Sequence, residues 1–185
     1  VVCLQEVTPP VWRQLLAARA VRDAYAVSDD ERGGTLGSYG VTLLVRRSGG
    51  ACDHGVAACV RSLALYDMPT RFGRRALVVE LDDARSGRRV AVCCVHLESL
   101  NYPHVRQQQL TLIGRVLRQA VAGAANGGTY IVAGDTNIAD EPHSPWTSSP
   151  AFVPERTALD GARDVWLQLH GGGGGGGSSH DEDEF

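Results

Sequence analysis

Several short strings in this sequence place oxygen- and nitrogen-bearing side chains at the ends of apolar runs. The most compact is residues 128–140, GTYIVAGDTNIAD. Residues 129–133 are apolar, β-rich and too few for a helix, so they read as a buried strand. The run ends in Gly134-Asp135-Thr136-Asn137, with backbone at Gly134 that can turn sharply. A carboxylate and a carboxamide on such a rigid mount suit a site that holds a water in line with a phosphorus atom. The same letters also spell an ordinary Gly-Asp turn with Asx capping, so the reading depends on the other strings.

Two of those strings repeat the arrangement. Residues 1–7, VVCLQEV, form an apolar strand pattern in which Glu6 is poorly placed for packing, because an unpaired buried charge is costly. Glu6 lies either at a sheet edge in water or beside a compensating cation. Residues 90–95, VAVCCV, are wholly apolar and then meet His96, Leu97, Glu98 and Ser99. A strand-end His can simply be satisfied by a neighbouring carbonyl. Together with Glu6 and Asp135, though, it points polar chemistry out of one end of a sheet.

The elements that must position these groups follow from periodicity. Thr8-Pro9-Pro10 reads as a helix start with Thr8 as cap, and the helix runs to about Ala20 with Val11, Leu15, Leu16 and Ala18 on one face. Residues 25–27, 38–45 and 56–66 read as strands, with a Gly-rich turn over 48–56. Residues 74–81 and 89–97 form an antiparallel pair around the polar loop 82–87. After Asn101-Tyr102-Pro103, residues 104–122 read as an amphipathic helix whose Gln107-Gln108-Gln109 and Arg residues make the wet face. Residues 123–128 stop it. A Pro/Ser-rich loop over 140–154 carries Trp146, which either pins the loop to the surface or stacks on a base. Residues 163–169 form a short helix or strand packing through Val165, Trp166 and Leu169.

Composition narrows the class. The chain has 185 residues, suited to one domain, and 43% hydrophobic content for its core. Net charge is −3, but residues 181–184 are all acidic; without them 18 basic residues face 17 acidic ones. A nearly neutral body excludes a broad basic footprint, so any nucleic-acid contact should be local. All 18 basic residues are Arg, and nothing in the pattern explains it. The cysteines (Cys3, Cys52, Cys59, Cys93 and Cys94) are odd in number and make no CxxC pair, which favours reduced thiols in the nucleus or cytoplasm. No apolar run is long enough to span a membrane as a helix. Residues 171–185 are Gly-rich and acidic, and read as a disordered insertion or tail after a domain over 1–170.

The ordered strings LQEV-TPP (4–10), YGV (39–41), HLES (96–99), GDTN (134–137) and DVW (164–166) resemble the endonuclease/exonuclease/phosphatase superfamily of metal-dependent phosphodiesterases, and within it the tyrosyl-DNA phosphodiesterase branch. The resemblance implies an α/β fold, a DNase I-like four-layer α/β/β/α sandwich of two mixed sheets. It implies that Glu6 ligates Mg²⁺ (or Mn²⁺), that Asp135 orients and deprotonates the attacking water, and that Asn137 binds the scissile phosphate and fixes Asp135. His96 with Ser99 would hold phosphate oxygens. The implied substrate is DNA with a 5′-phosphotyrosyl adduct at a single-stranded end, handled by a monomer in DNA repair. The family's Asn-bearing strand before LQE and its later Ser-Asp-His segment have no counterpart here, and its basic residue after GDTN is replaced by Ala139. His180 lies outside any strand pattern and takes no such role. The resemblance therefore covers the middle of a family domain. Other expectations are a deadenylase-like or abasic-site phosphodiesterase of the same superfamily, or a catalytically dead interaction module.

Overall fold

The computed structural model describes residues 1–47, 58–83, 85–138, 158–159 and 161–170. The expected turn at 48–56, the loop with Trp146, Ala139 and the acidic tail lie outside the described residues. In chain order the elements are β1 (Val2–Val7), α1 (Pro9–Ala17), α2 (Arg19–Ala24), β2 (Tyr25–Val27), β3 (Gly40–Arg46), β4 (Ala58–Asp67), β5 (Arg75–Asp83), β6 (Arg89–His96), α3 (Pro103–Ala122), β7 (Gly128–Asp135) and α4 (Val165–His170). None of the described helices is long and apolar enough to cross a membrane.

Two sheets form. The smaller has strand order β1-β3-β2 and is antiparallel; the larger has order β4-β5-β6-β7. The larger sheet is mixed, because α3 carries the chain back so that β7 runs parallel to β6. Side-chain alternation along β5 and β6 assigns each residue to a layer. Leu77, Val79, Leu81, Val92 and Cys94 face β3 of the other sheet through Val41, Leu43 and Val45. Their neighbours Ala76, Val78, Ala91, Cys93 and Val95 turn the other way, onto Leu110, Ile113 and Leu117 of α3. Near-continuous apolar runs such as VAVCCV thus follow from burial on both faces. On the outer side of the smaller sheet, Trp12 of α1 is fully buried with Val7 and Leu36. The layers are therefore helix, sheet, sheet, helix.

Several expectations are corrected at this level. Trp12 anchors α1, whereas Val11 is 51% exposed, and Thr8 occupies the cap position without a side-chain cap bond. Among the described residues β1 and β7 lie at sheet edges and are mostly half-buried or exposed, with Val7 the buried exception; Ile131 is 48% exposed. On α3, Gln109 and Arg106 are buried rather than wet. The segment 163–169 does contain a helix, α4, but Val165 and Leu169 are exposed. Trp12 also donates its indole N–H to the Asp30 carbonyl at 2.7 Å, which ties α1 to the following loop. Trp12→Phe keeps most of the buried ring and loses that bond. It should cost about 1–2 kcal/mol in urea denaturation, and no measurable loss would mean the bond is dispensable.

Candidate active site

The parallel pair of β6 and β7 sets the site. His96 and Asp135 are register partners at the ends of these strands, and the Leu97 N–H continues the ladder to the Asp135 carbonyl at 2.9 Å. The chain can reach Asp135 this way because Gly134 has no side chain. Its φ is 135°, and a Cβ there would lie 2.1 Å from the Val95 carbonyl oxygen. The expected sharp turn at Gly134 is therefore a close strand approach instead. The turn comes later, at Asn137, with φ 51° in the left-handed region that Asn tolerates. There the Asn137 N–H donates to Asp135 Oδ1 at 2.9 Å, and its Nδ2 donates to the Leu97 carbonyl at 3.0 Å. An Asx turn and a pinned site are one arrangement here. The Asp135 side chain stays 52% exposed, with Oδ2 accessible.

Glu6 reaches the same rim by a different device. The β1–β3 register slips between Leu4 and Val7, a bulge that places one extra residue on β1, and Glu6 sits in it at φ 55°. Bulges of this kind re-aim a side chain and end regular pairing. The preceding residue, Gln5, donates through Nε2 to Cys94 Sγ at 3.3 Å and lies 3.0 Å from where a Gly134 Cβ would be. Glu6 is exposed, and its negative charge acts on His96. Glu6, His96, Asp135 and Asn137 are thus brought to one edge of the sandwich.

His96 is buried and its ring is held from both sides. Arg74 Nη1 lies 2.9 Å from Nδ1 and donates to it, because a guanidinium cannot accept. That leaves the ring proton on Nε2, which points to Asp135 Oδ2 at 3.7 Å. The gap is too long for a direct hydrogen bond, so both atoms are able to engage a third oxygen. Burial and the positive charge of Arg74 push the His96 pKa down, partly opposed by Asp135 and Glu6. His96 is therefore neutral at pH 7. The folded value lies below the unfolded one, so the unfolded chain binds the proton more readily. This contribution to stability is complete above the ordinary value of 6.5 and is lost as pH falls toward the folded value.

Arg74 was not singled out by sequence patterns, since nothing distinguishes it from the other Arg residues before the fold is known. It is buried, donates to Tyr39 Oη at 3.1 Å and to Ser99 Oγ at 3.4 Å, and its guanidinium carbon lies 5.5 Å from the Tyr39 ring centre. Ser99, expected to hold phosphate, thus meets Arg74 at the margin of the site. Arg74→Gln should raise the His96 pKa in an NMR titration of the imidazole; an unchanged or lower value would remove Arg74 as the group that sets the tautomer.

The donor set suits a hard divalent cation. Among the described residues no three His, Cys, Asp or Glu side chains form a cluster that could hold a metal ion by themselves. Mg²⁺ keeps most of its waters and needs only one or two protein carboxylates beside substrate phosphate. The exposed Glu6 carboxylate on its bulge fits that requirement.

The fold and this rim together define the class. The chain belongs to the Endonuclease/Exonuclease/phosphatase family, whose profile matches residues 1–178. Among solved structures it is similar to a humanized D. rerio TDP2 carrying 14 mutations, at 27% identity and TM-score 0.52, over 75% of this chain and 52% of that one. It is similar also to D. rerio TDP2 complexed with single strand DNA product, at 23% identity and TM-score 0.58, over 91% and 56%. The human Nocturnin catalytic domain with bound sulfate anion matches at 18% identity and TM-score 0.53, over 77% and 52%. The chain spans about half the length of these structures. No curated protein matches it.

Proposed function

We propose that the protein is a divalent-metal-dependent phosphodiesterase that hydrolyses the bond between a tyrosine side chain and a 5′-terminal phosphate of DNA, as tyrosyl-DNA phosphodiesterase 2 does. The observation that carries this reading is the end of the β6–β7 pair, where His96 and Asp135 face each other in register with Asn137 tied across to Leu97. The likeness to D. rerio TDP2 bound to single strand DNA product supports DNA as the polymer.

In this reading each residue does what its surroundings allow. Asp135 has one oxygen engaged by the Asn137 N–H and the other accessible, so it accepts the proton of a water that attacks phosphorus. Asn137, with its amide held by Leu97, keeps that carboxylate in place and borders the scissile phosphate. The Nε2–H of neutral His96 donates to a phosphoryl oxygen, and Ser99 borders the same group. Glu6 would hold Mg²⁺ (or Mn²⁺), which would supply positive charge against the charge that develops in the transition state. Arg74 adds a second, fixed positive charge close by. Trp146, which either pins its loop or stacks on a base, lies outside the described residues.

The test is to present single-stranded DNA bearing a 5′-phosphotyrosyl group, poly(A), and abasic duplex side by side with Mg²⁺. Preferential release of tyrosine supports the reading. Turnover of poly(A) or abasic duplex alone would assign another branch of the family. No turnover of any substrate, with Mg²⁺ bound no better than by Glu6→Ala, would point to an interaction module.

A further inference from the structure

Next to Arg74, along residues 71–72 and 100–102, lies a cluster that none of the roles above uses. Phe72 is 41% exposed and meets the Tyr102 ring edge-on at a centroid distance of 6.1 Å. The Arg71 guanidinium carbon lies 4.9 Å from the centre of the same ring. Leu100, at φ 62° and 55% exposed, is in the adjoining turn, where its carbonyl accepts from the Tyr102 N–H at 2.9 Å. Buried residues hold the cluster in shape. Arg106 donates to the Glu98 and Leu100 carbonyls at 3.0 and 2.8 Å. The fully buried Glu98 accepts from Thr70 Oγ1 and the Arg71 N–H, while Gln109 donates to the Pro69 carbonyl. Thr70 Oγ1 in turn accepts from the Phe72 and Arg74 N–H groups. An apolar, cationic surface is thus fixed before any ligand arrives, which lowers the ordering cost of binding.

We infer that Arg71, Phe72, Leu100 and Tyr102 bind the polypeptide that carries the esterified tyrosine, on the leaving-group side of the cleft. This rests on the phosphodiesterase reading above. Displacement at phosphorus is in line, so the leaving oxygen departs opposite the attacking water. The water is on Asp135, and His96 stands between it and Arg74, with Nε2 toward one and Nδ1 toward the other. The leaving phenol is therefore directed toward Arg74 and Tyr39. Those two residues line, with Phe72 and His96, a recess of only about 20 Å³. A ring cannot enter a water-sized notch, so it lies over the mouth. The chain attached to that ring then continues across Phe72 and Arg71. Phe72 and Leu100 offer contact to apolar side chains flanking the tyrosine, and Arg71 offers a positive charge to acidic ones.

The experiment compares two esters of one 5′-phosphorylated oligonucleotide, the first of 4-nitrophenol and the second of a tyrosine inside a short peptide. Arg71→Ala and Leu100→Ala should each lower kcat/KM for the peptide ester by about tenfold and leave the nitrophenyl ester unchanged. The nitrophenyl rate also reports that the variants fold. Equal losses on both esters, or losses that track oligonucleotide length, would overturn the inference; the latter would place the nucleic-acid strand there instead. If the unsubstituted protein cleaves neither ester, the phosphodiesterase reading falls first and takes this assignment with it.

Discussion

Asp135→Asn will lower phosphodiester hydrolysis by about two to four orders of magnitude while leaving the unfolding midpoint in place. The substitution keeps the size of the side chain, and the Asn side-chain oxygen can still accept from the Asn137 N–H as Oδ1 does now at 2.9 Å. What is lost is the ability of the outward oxygen to take a proton from water. Since that side chain is 52% exposed, little packing depends on it. The loss should appear in kcat rather than KM, because the substrate contacts proposed for His96 and Ser99 are untouched. Glu6→Gln should also lower activity, with the deficit partly recovered at high Mg²⁺. The double variant Glu6→Gln/Asp135→Asn should be inert; turnover by it close to the wild-type rate would remove both residues from the site.

Gly134→Ala should destabilise the protein by about 3–5 kcal/mol, a large effect for one methyl group. Two mechanisms act together. The backbone φ of 135° is one that L side chains rarely adopt, and the added Cβ would lie 2.1 Å from the Val95 carbonyl oxygen. Backbone atoms on both sides of this contact belong to the paired strands β6 and β7, so relief requires the ladder itself to open. Because His96 and Asp135 are the next pair along, activity should fall as well. Gly34 is the control: its φ is not in the left-handed region and nothing lies within 4 Å of a Cβ there. Gly34→Ala should stay within about 0.5 kcal/mol of wild type. Similar urea midpoints for the two variants would show that the close approach at Gly134 is not required.

What local pattern could and could not reveal is clearest at α3. Its apolar spacing picks out Val105, Leu110, Leu112, Ile113, Val116, Leu117 and Val121, of which Leu110, Ile113 and Leu117 are buried against the sheet and the others half-buried. The same spacing put Gln109 on the wet face. Yet Gln109 is fully buried, accepting from the Glu98 N–H at 2.9 Å and donating to the Pro69 carbonyl at 2.8 Å. A polar side chain becomes tolerable inside once every one of its groups is matched, and those partners come from other segments.

Legible in the residues alone were the strand-and-helix order apart from α2, the apolar strands, the family, and the positions of Glu6, His96, Asp135 and Asn137 at strand ends. Those properties are local: alternation, turn residues and short ordered strings. Invisible before folding are the bulge from which Glu6 projects, the edge positions of β1 and β7 among the described residues, and the use of Gly134 for close approach rather than a turn. The same holds for Arg74, which fixes the His96 proton on Nε2. Each of these depends on atoms from strands far apart in the chain, and no single stretch of residues carries the distance between two others.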